Sequence, residues 1–487
     1  MDFLSNEVNM EDYNVYQNPL GTRYASKEMS YLFSDDKKFK TWRKLWIALA
    51  EAEKELGLNI SDEQIDELKR NAETLNLDVA KKRERECRHD VMAQVYAYGK
   101  QCPKAESIIH LGATSCYVGD NADLICYYEA LGLLEQKLAT VIFNLKEFAK
   151  KYKDLPTLGF THLQPAQPTT VGKRAALWLQ DLVSDLENVR DLKEKFKLRG
   201  VRGTTGTAAS FLELFDGDYE KVKKLNQIVL KKLGFQNTFD VTGQTYPRKF
   251  DYEIFSQLSK IAQSAYKAGN DIRLLQSMKE LEEPFEEKQI GSSAMAYKRN
   301  PMRSERMCSL ARYVLTLPEN AAITASTQWL ERTLDDSANR RIVMAEGFLA
   351  TDGILNLYEN ISDGLVVYEK MIRKHLSDEL PFMATETILM EAVKAGGNRQ
   401  ELHEKIREHS MAAAKRVKEE GKPNDLLERI AKDSAFSKIA ADIPLLADPK
   451  RFVGAAPMQT EEYILDVVEP LLKNYPDASK TKSEISV

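Results

Sequence analysis

The chain has 487 residues, enough for two or three domains, because a single apolar core stops growing at roughly 250–300 residues. With 43% hydrophobic and 29% charged residues and no low-complexity tract it reads as globular. Its net charge of −5 excludes a general nucleic-acid or membrane-surface binder, which needs a basic face.

The N-terminal stretch MDFLSNEVNMEDYNVYQNPLG is acidic where a signal peptide would be basic, and no run approaches eighteen apolar residues. Cys87, Cys102, Cys116, Cys126 and Cys308 show neither a CxxC pair nor metal-ligand spacing with histidine, so a reducing, cytosolic location without a zinc site is expected. A region of short helices precedes about Leu111. Within it KKRERECR (Lys81–Arg88) reads as a localisation signal or, with its interleaved glutamates, as a solvated helical face. His89 in CRHDV and His110 in IIHLGATS read as a helix-surface and a turn histidine, or as functional groups.

Turn-rich segments punctuate the chain beyond that region: HLGATSCYVGDN, THLQPAQPT, RGVRGTTGT, VTGQTYPR and IGSSAMAYKRNPMRSER. His162, in the proline-restrained THLQPAQPT, is either a structural histidine or a general acid or base. A helical stripe runs through Leu182, Leu186, Val189, Leu192 and Phe196, bounded by Pro165 and Pro168 before it and Gly200 after it. RGVRGTTGT is a turn that could also offer amides to an anion.

Steps of four and three through Phe250, Ile254, Leu258, Ile261, Ala265, Ala268, Ile272 and Leu275 predict one long helix over 250–281, and another begins near Ser337 and continues through Leu357. Rods of this length need partners along their whole extent. Between them lies IGSSAMAYKRNPMRSER, where Gly291, the hydroxyls of Ser292 and Ser293, Lys298 and a helix-starting Pro301 make either a solvated connection or a charged, movable loop. RTLDDSANRR brings Arg332, Arg340 and Arg341 near Ser337, suited to carboxylate or phosphate recognition or to ion pairs with Asp335 and Asp336. A charged helical segment with AGGNRQELHEKIREH ends the chain, and His375, His403 and His409 read as solvated. Period-2 alternation is scarce, so the class is all-α, with an N-terminal helical domain over 1–111, a central long-helix bundle over 112–367 and a C-terminal helical domain over 368–487. No phosphate loop, dinucleotide fingerprint or HExxH is present, so the expected chemistry needs no cofactor and no metal.

GSSAMAYKRNP, read as GSSxMxxKxNP, resembles the signature of the fumarase/aspartase/argininosuccinase superfamily of lyases. RHDV, HLGATSCYVGDNAD, THLQPAQPTTVGKR, TGQTYPRK and TLDDSANRR extend the resemblance over nearly the whole chain, and TRYAS and TLDDSANRR favour a nucleotide substrate over argininosuccinate or fumarate. The resemblance implies a three-domain all-α fumarase/aspartase-like fold, a homotetramer, and active sites built from loops of three subunits. The implied reaction is β-elimination of fumarate from adenylosuccinate, giving AMP, and from the ribotide SAICAR, giving AICAR.

By the same resemblance Ser292 is the base that removes the carbon proton and His162 the acid that protonates the leaving nitrogen. Arg23, Tyr24, Arg332, Ser337 and Arg341 are expected to hold the nucleotide and its phosphate. Arg88, His89, Asp90, Thr114, Ser115, Gln244, Lys298 and Arg306 are expected around the succinyl part, with His110 orienting the acid and Thr161 and Asn300 in the same binding set. Such chemistry needs a base, an acid and cations for a dianionic intermediate. The chain departs from the family pattern at Ala296, where proline usually stands. The competing expectation is a catalytically silent helical scaffold.

Overall fold

In the computed structural model, which describes residues 14–480, the apolar stripes fold as rods laid side by side. The start of the acidic N-terminal stretch and the C-terminal tail from Thr481 lie outside the described residues. Helices α1 (Asp35–Glu55), α2 (Leu77–Cys87) and α3 (Asp90–Gln101) lead into α4 (Ser115–Lys151), α5 (Val171–Glu194), α6 (Lys249–Ser277), α7 (Met302–Leu315), α8 (Leu317–Ser326) and α9 (Asp335–Asp363). Helix α4, with 37 residues, rises about 55 Å.

Residues Leu131, Leu134, Leu138, Val141, Ile142 and Leu145 of α4 are wholly buried on several faces, which makes it the bundle's central rod. The α6 stripe buries Ile254, Leu258, Ile261, Ala265, Ala268 and Ile272 completely, matching the predicted spacing. Helices α4, α6 and α9 run parallel: Arg248, just before α6, bonds Asp120 near the start of α4 and Asp336 near the start of α9. Helix α5 and the α7–α8 pair return in the opposite direction.

Two segments read as turns fold otherwise. SCYVGDN is already helical, because α4 begins at Ser115; Gly119 within it meets nothing that a Cβ would disturb. THLQPAQPT forms much of an antiparallel hairpin of β1 (Pro156–Thr161) and β2 (Gln164–Thr170), with Thr161 opposite Gln164 and Phe160 opposite Pro165. Prolines argue against a central strand, but a two-stranded ribbon consists only of edges and tolerates them. Its register shifts between Thr157 and Gly159, where a Cβ on Gly159 would collide with Gln167 O.

The expected segments 1–111, 112–367 and 368–487 do not each keep a core to themselves. One apolar cluster joins Trp42, Leu45 and Leu49 of α1 to the rods and also takes in Ile464, Val468, Leu471 and Tyr475, while a separate cluster spans Ala384 to Leu446. Two histidines read as solvated are paired instead: His375 Nδ1 lies 2.7 Å from Glu280 Oε1, and His409 Nε2 lies 2.9 Å from Asp433 Oδ2.

Glu53 of α1 is fully buried and neither carboxyl oxygen has a partner. Burial alone pushes its pKa up to about 9, so the folded chain holds it protonated at neutral pH. A raised folded pKa means that its contribution to stability is complete below the ordinary value of 4.5 and is lost as pH rises towards 9. Glu53→Gln should therefore change the thermal midpoint little at pH 5 and stabilise the fold by on the order of 3 kcal/mol at pH 7. Parallel midpoint-versus-pH curves for the two proteins would contradict this.

Candidate active site

At the end of the bundle where α4, α6 and α9 all begin, a cleft of about 1320 Å³ opens, lined by Arg88, His89, Asp90, Ser115, Gln244, Arg332, Ser337 and Arg341 among others. Three helix N-termini turn their positive dipole ends and first N–H groups towards this region, which favours an anionic ligand before any side chain is counted. Arg88 closes α2 in the left-handed conformation (φ 56°), turning the chain so that His89 caps α3. His89 Nδ1 accepts from Met92 N–H at 3.3 Å, so the proton of the neutral ring sits on Nε2, 3.3 Å from Ser115 Oγ. Thr114 is buried at the N-cap position of α4. Arg341 pairs with Asp90 at 3.1 Å, and Arg332 donates to Gln244 Oε1 at 3.1 Å.

Beneath the cleft lies a buried ionic lattice that sequence reasoning missed. Arg248 donates to Asp336 at 2.7 Å and to Asp120 at 3.1 and 3.2 Å, while Arg340 donates to Asp251 at 2.7 Å and to Tyr246 Oη at 2.5 Å. Burial opposes the charge on Asp120, but Arg248, Arg340 and Arg199 outweigh it and hold the carboxyl below its ordinary range. Arg199 donates to the carbonyls of Gln244, Gly200 and Gly203, tying RGVRGTTGT to VTGQTYPR. It is thus the carbonyls of that loop that meet a charge, and Thr204 and Thr205 line the cleft. Its local trace in the sequence was Asp120 beside Asn121, polar residues that α4 buries near its start among Tyr117, Val118 and Leu124.

Within one copy His110 stands just before the start of α4, and His162 stands beyond its far end. Trp46 Nε1–H donates to His110 Nδ1 at 2.9 Å, and burial, then His89, lower the His110 pKa to about 4, so it is neutral at physiological pH.

The remaining expected site residues lie away from this end of the chain. The turn Leu20–Tyr24, which carries Arg23 and Tyr24, packs well along α9: Asn356 donates to Tyr24 O at 2.9 Å, about 28 Å of helix rise from Ser337. Thr161 and His162 are exposed on the hairpin, whose base joins the far end of α4 through Val171 N–H to Leu155 O. His162 and Leu163 both adopt φ 55°, the two-residue turn that suits a hairpin but costs a side-chain-bearing residue roughly 1 kcal/mol or more. The loop with Ser292, Lys298 and Asn300, and Arg306 on α7, follow the far end of α6, where Gln276 donates to Arg299 O at 3.1 Å.

Within that loop Ser292 Oγ accepts from the amides of Ala294 at 3.3 Å and Met295 at 3.1 Å. Two donors aimed at one hydroxyl oxygen favour its alkoxide. Asn300, expected among the substrate contacts, donates to Gly291 O at 2.7 Å and so closes its own loop. Glu283 accepts from Arg303 N–H, Ser304 N–H and Ser304 Oγ, fixing the loop's exit into α7.

The family described as Lyase matches residues 25–316, and the one described as Adenylosuccinate lyase C-terminus matches residues 381–463. The chain is 54% identical to adenylosuccinate lyase of Schizosaccharomyces pombe, covering 93% of this chain and 95% of that one. It is 53% identical to that of Saccharomyces cerevisiae, covering 96% and 97%, and 50% identical to that of Schistosoma mansoni, covering 98% and 100%. Among solved structures, a 3-carboxy-cis,cis-muconate lactonizing enzyme from Pseudomonas putida superposes with TM-score 0.79 at 22% identity, over 92% of this chain and 99% of that one. A fumarate lyase from Mesorhizobium sp. BNC1 superposes with TM-score 0.76 at 21% identity, over 93% and 100%. These two likenesses speak for the fold.

Lys298 N–H bonds Met295 O at 3.0 Å, which places Ala296 at the second position of a tight turn, where proline's fixed φ is favoured. Ala296→Pro should stabilise the closed turn by about 0.4–1 kcal/mol, slow proteolytic cleavage of the loop and preserve turnover. Faster cleavage, or a lower thermal midpoint, would show that the turn needs the alanine.

Proposed function

The chain belongs to the adenylosuccinate lyase family of the fumarase/aspartase superfamily and carries that family's activity, elimination of fumarate from adenylosuccinate to leave AMP; we propose that it works in sites composed by several copies of the chain, and that the same sites convert SAICAR to AICAR. The observation that supports composite sites is the distance between the cleft and the loops of His162 and Ser292. The cleft and the loops of His162 and Ser292 lie at opposite ends of rods about 44–55 Å long, so no loop movement within one chain unites them. The cleft also exceeds the roughly 300–1,000 Å³ typical of small-ligand sites, leaving room for groups from neighbours. A homotetramer is the assembly that fits, since it lets parallel rods of one copy meet reversed rods of another.

In such a site Arg332, Ser337 and Arg341, with the helix N-termini, hold the nucleotide and its phosphate, joined by Arg23 and Tyr24 of another copy. Arg88, His89, Asp90, Thr114, Ser115 and Gln244 surround the succinyl group. Ser292, as alkoxide, removes the proton from the carbon beside a succinyl carboxylate; the negative charge spreads into that carboxylate, and Lys298 compensates it. As the C–N bond breaks, its electron pair goes to nitrogen, the carbon pair closes the double bond of fumarate, and His162 supplies the proton to the departing amine. The exposed hairpin turn suits an acid that must reach into a neighbour's cleft. A cytoplasmic location accords with five unbridged cysteines, and no described helix is long and apolar enough to cross a membrane.

Ser292→Ala should lower fumarate release from adenylosuccinate, followed by ultraviolet absorbance, by about 10²–10⁴-fold, with the mass of the assembly unchanged. Turnover near the unmodified level would assign the base elsewhere.

A further inference from the structure

The cleft is rich in groups for phosphate and carboxylate, yet a purine also presents two flat faces that charges alone do not hold. Of the aromatic rings lining the cleft, Trp42 and Tyr127 are buried, and Phe33 stacks on Tyr127 and Phe348 at centroid distances of 6.4 and 5.5 Å. Trp329 is different: it lines the cleft and is 72% exposed. It stands on the strap between α8 and α9, three residues before Arg332. Leu330 beside it is 98% exposed and held at φ 48°, a conformation that leucine adopts only where surrounding structure imposes it.

What imposes it is backbone packing. Gln244 N–H donates to Glu331 O at 3.1 Å, and a Cβ on Gly243 would stand 2.5 Å from that oxygen. The strap is thus pinned against the loop that carries Gln244, and Gln244 also receives the Arg332 guanidinium. An indole and a guanidinium are therefore carried on one fixed strap at the same cleft, the first apolar and flat, the second suited to an anion.

We propose that Trp329 is the surface on which the base of the ribotide stacks, and that its contact area sets the preference for the two-ring purine over the one-ring imidazole substrate. This rests on the cleft being the ribotide site of a lyase. Stacking on an aromatic side chain grows with the overlapping ring, so loss of the indole weakens binding of adenylosuccinate more than of SAICAR.

The other three tryptophans, Trp42, Trp46 and Trp178, are each 2% exposed, so the acrylamide-quenchable emission of the assembled enzyme belongs to Trp329. AMP should shield that emission in the unmodified enzyme, and the quenchable component should be absent from Trp329→Phe. Trp329→Leu should raise KM for adenylosuccinate by about tenfold with kcat within about twofold, and raise KM for SAICAR less; Trp329→Phe should recover most of the loss. An unchanged KM in Trp329→Leu, an equal rise for both substrates, or emission already inaccessible without AMP, as burial against another copy would produce, overturns the proposal. Unmodified enzyme that releases no fumarate from either substrate sinks the lyase reading instead, and the shielding by AMP is still read independently.

Discussion

One guanidinium holds the working end of this molecule together. Arg248 is 4% exposed and is shared between Asp120 on α4 and Asp336 on α9, so the starts of three parallel rods meet at a single buried cation. Withdrawing such charges from water is expensive, and the arrangement persists because Asp120 gathers Tyr246 N–H at 2.8 Å beside two Arg248 nitrogens, while Asp336 meets Arg248 through Oδ2. Its worth lies in position more than in net stability. Removing one member would strand opposite charges in the core, at a cost of about 3–5 kcal/mol.

From that register comes the electrostatics of the cleft. Parallel helices add their dipoles at the end where Ser115, Ser337 and Arg341 stand, and their carboxyl ends gather at the other, where the hairpin of His162 and the loop of Ser292 emerge. The cleft and the loops of His162 and Ser292 are therefore held apart by the length of the chain's own rods. In the assembly proposed above, what is incomplete in one copy is completed by another, and the Ser292 loop, closed upon itself by Asn300 and Gly291, lies on elements separate from the lattice beneath the cleft.

The rods were legible because their apolar period survives burial: the stripe from Ile254 to Ile272 is the wholly buried face of α6. The hairpin was not, because Pro165 and Pro168 mimic a loop and only the two-stranded context makes them tolerable. Asp120 was hidden inside a stretch whose glycine and polar residues suggested a turn, and its partner Arg248 lies 128 residues away, a pairing no local pattern carries. Composition could raise His162 and Ser292 as candidates, but only resemblance ranked them, since nothing local tells an exposed turn histidine from a catalytic one. Arg23 and Tyr24 were reached by resemblance alone, and Trp329 by neither route, because its exposure appears only once the strap is folded.

The proposed sharing of sites is tested most directly by mixing two variants, each first shown to be inactive alone, His89→Gln in the cleft and Ser292→Ala in the loop, under conditions of verified subunit exchange. Sites drawn from different copies predict recovery of up to about a quarter of the unmodified activity, because some sites then receive an intact cleft and an intact loop. A mixture that stays as inactive as either variant would contradict the account.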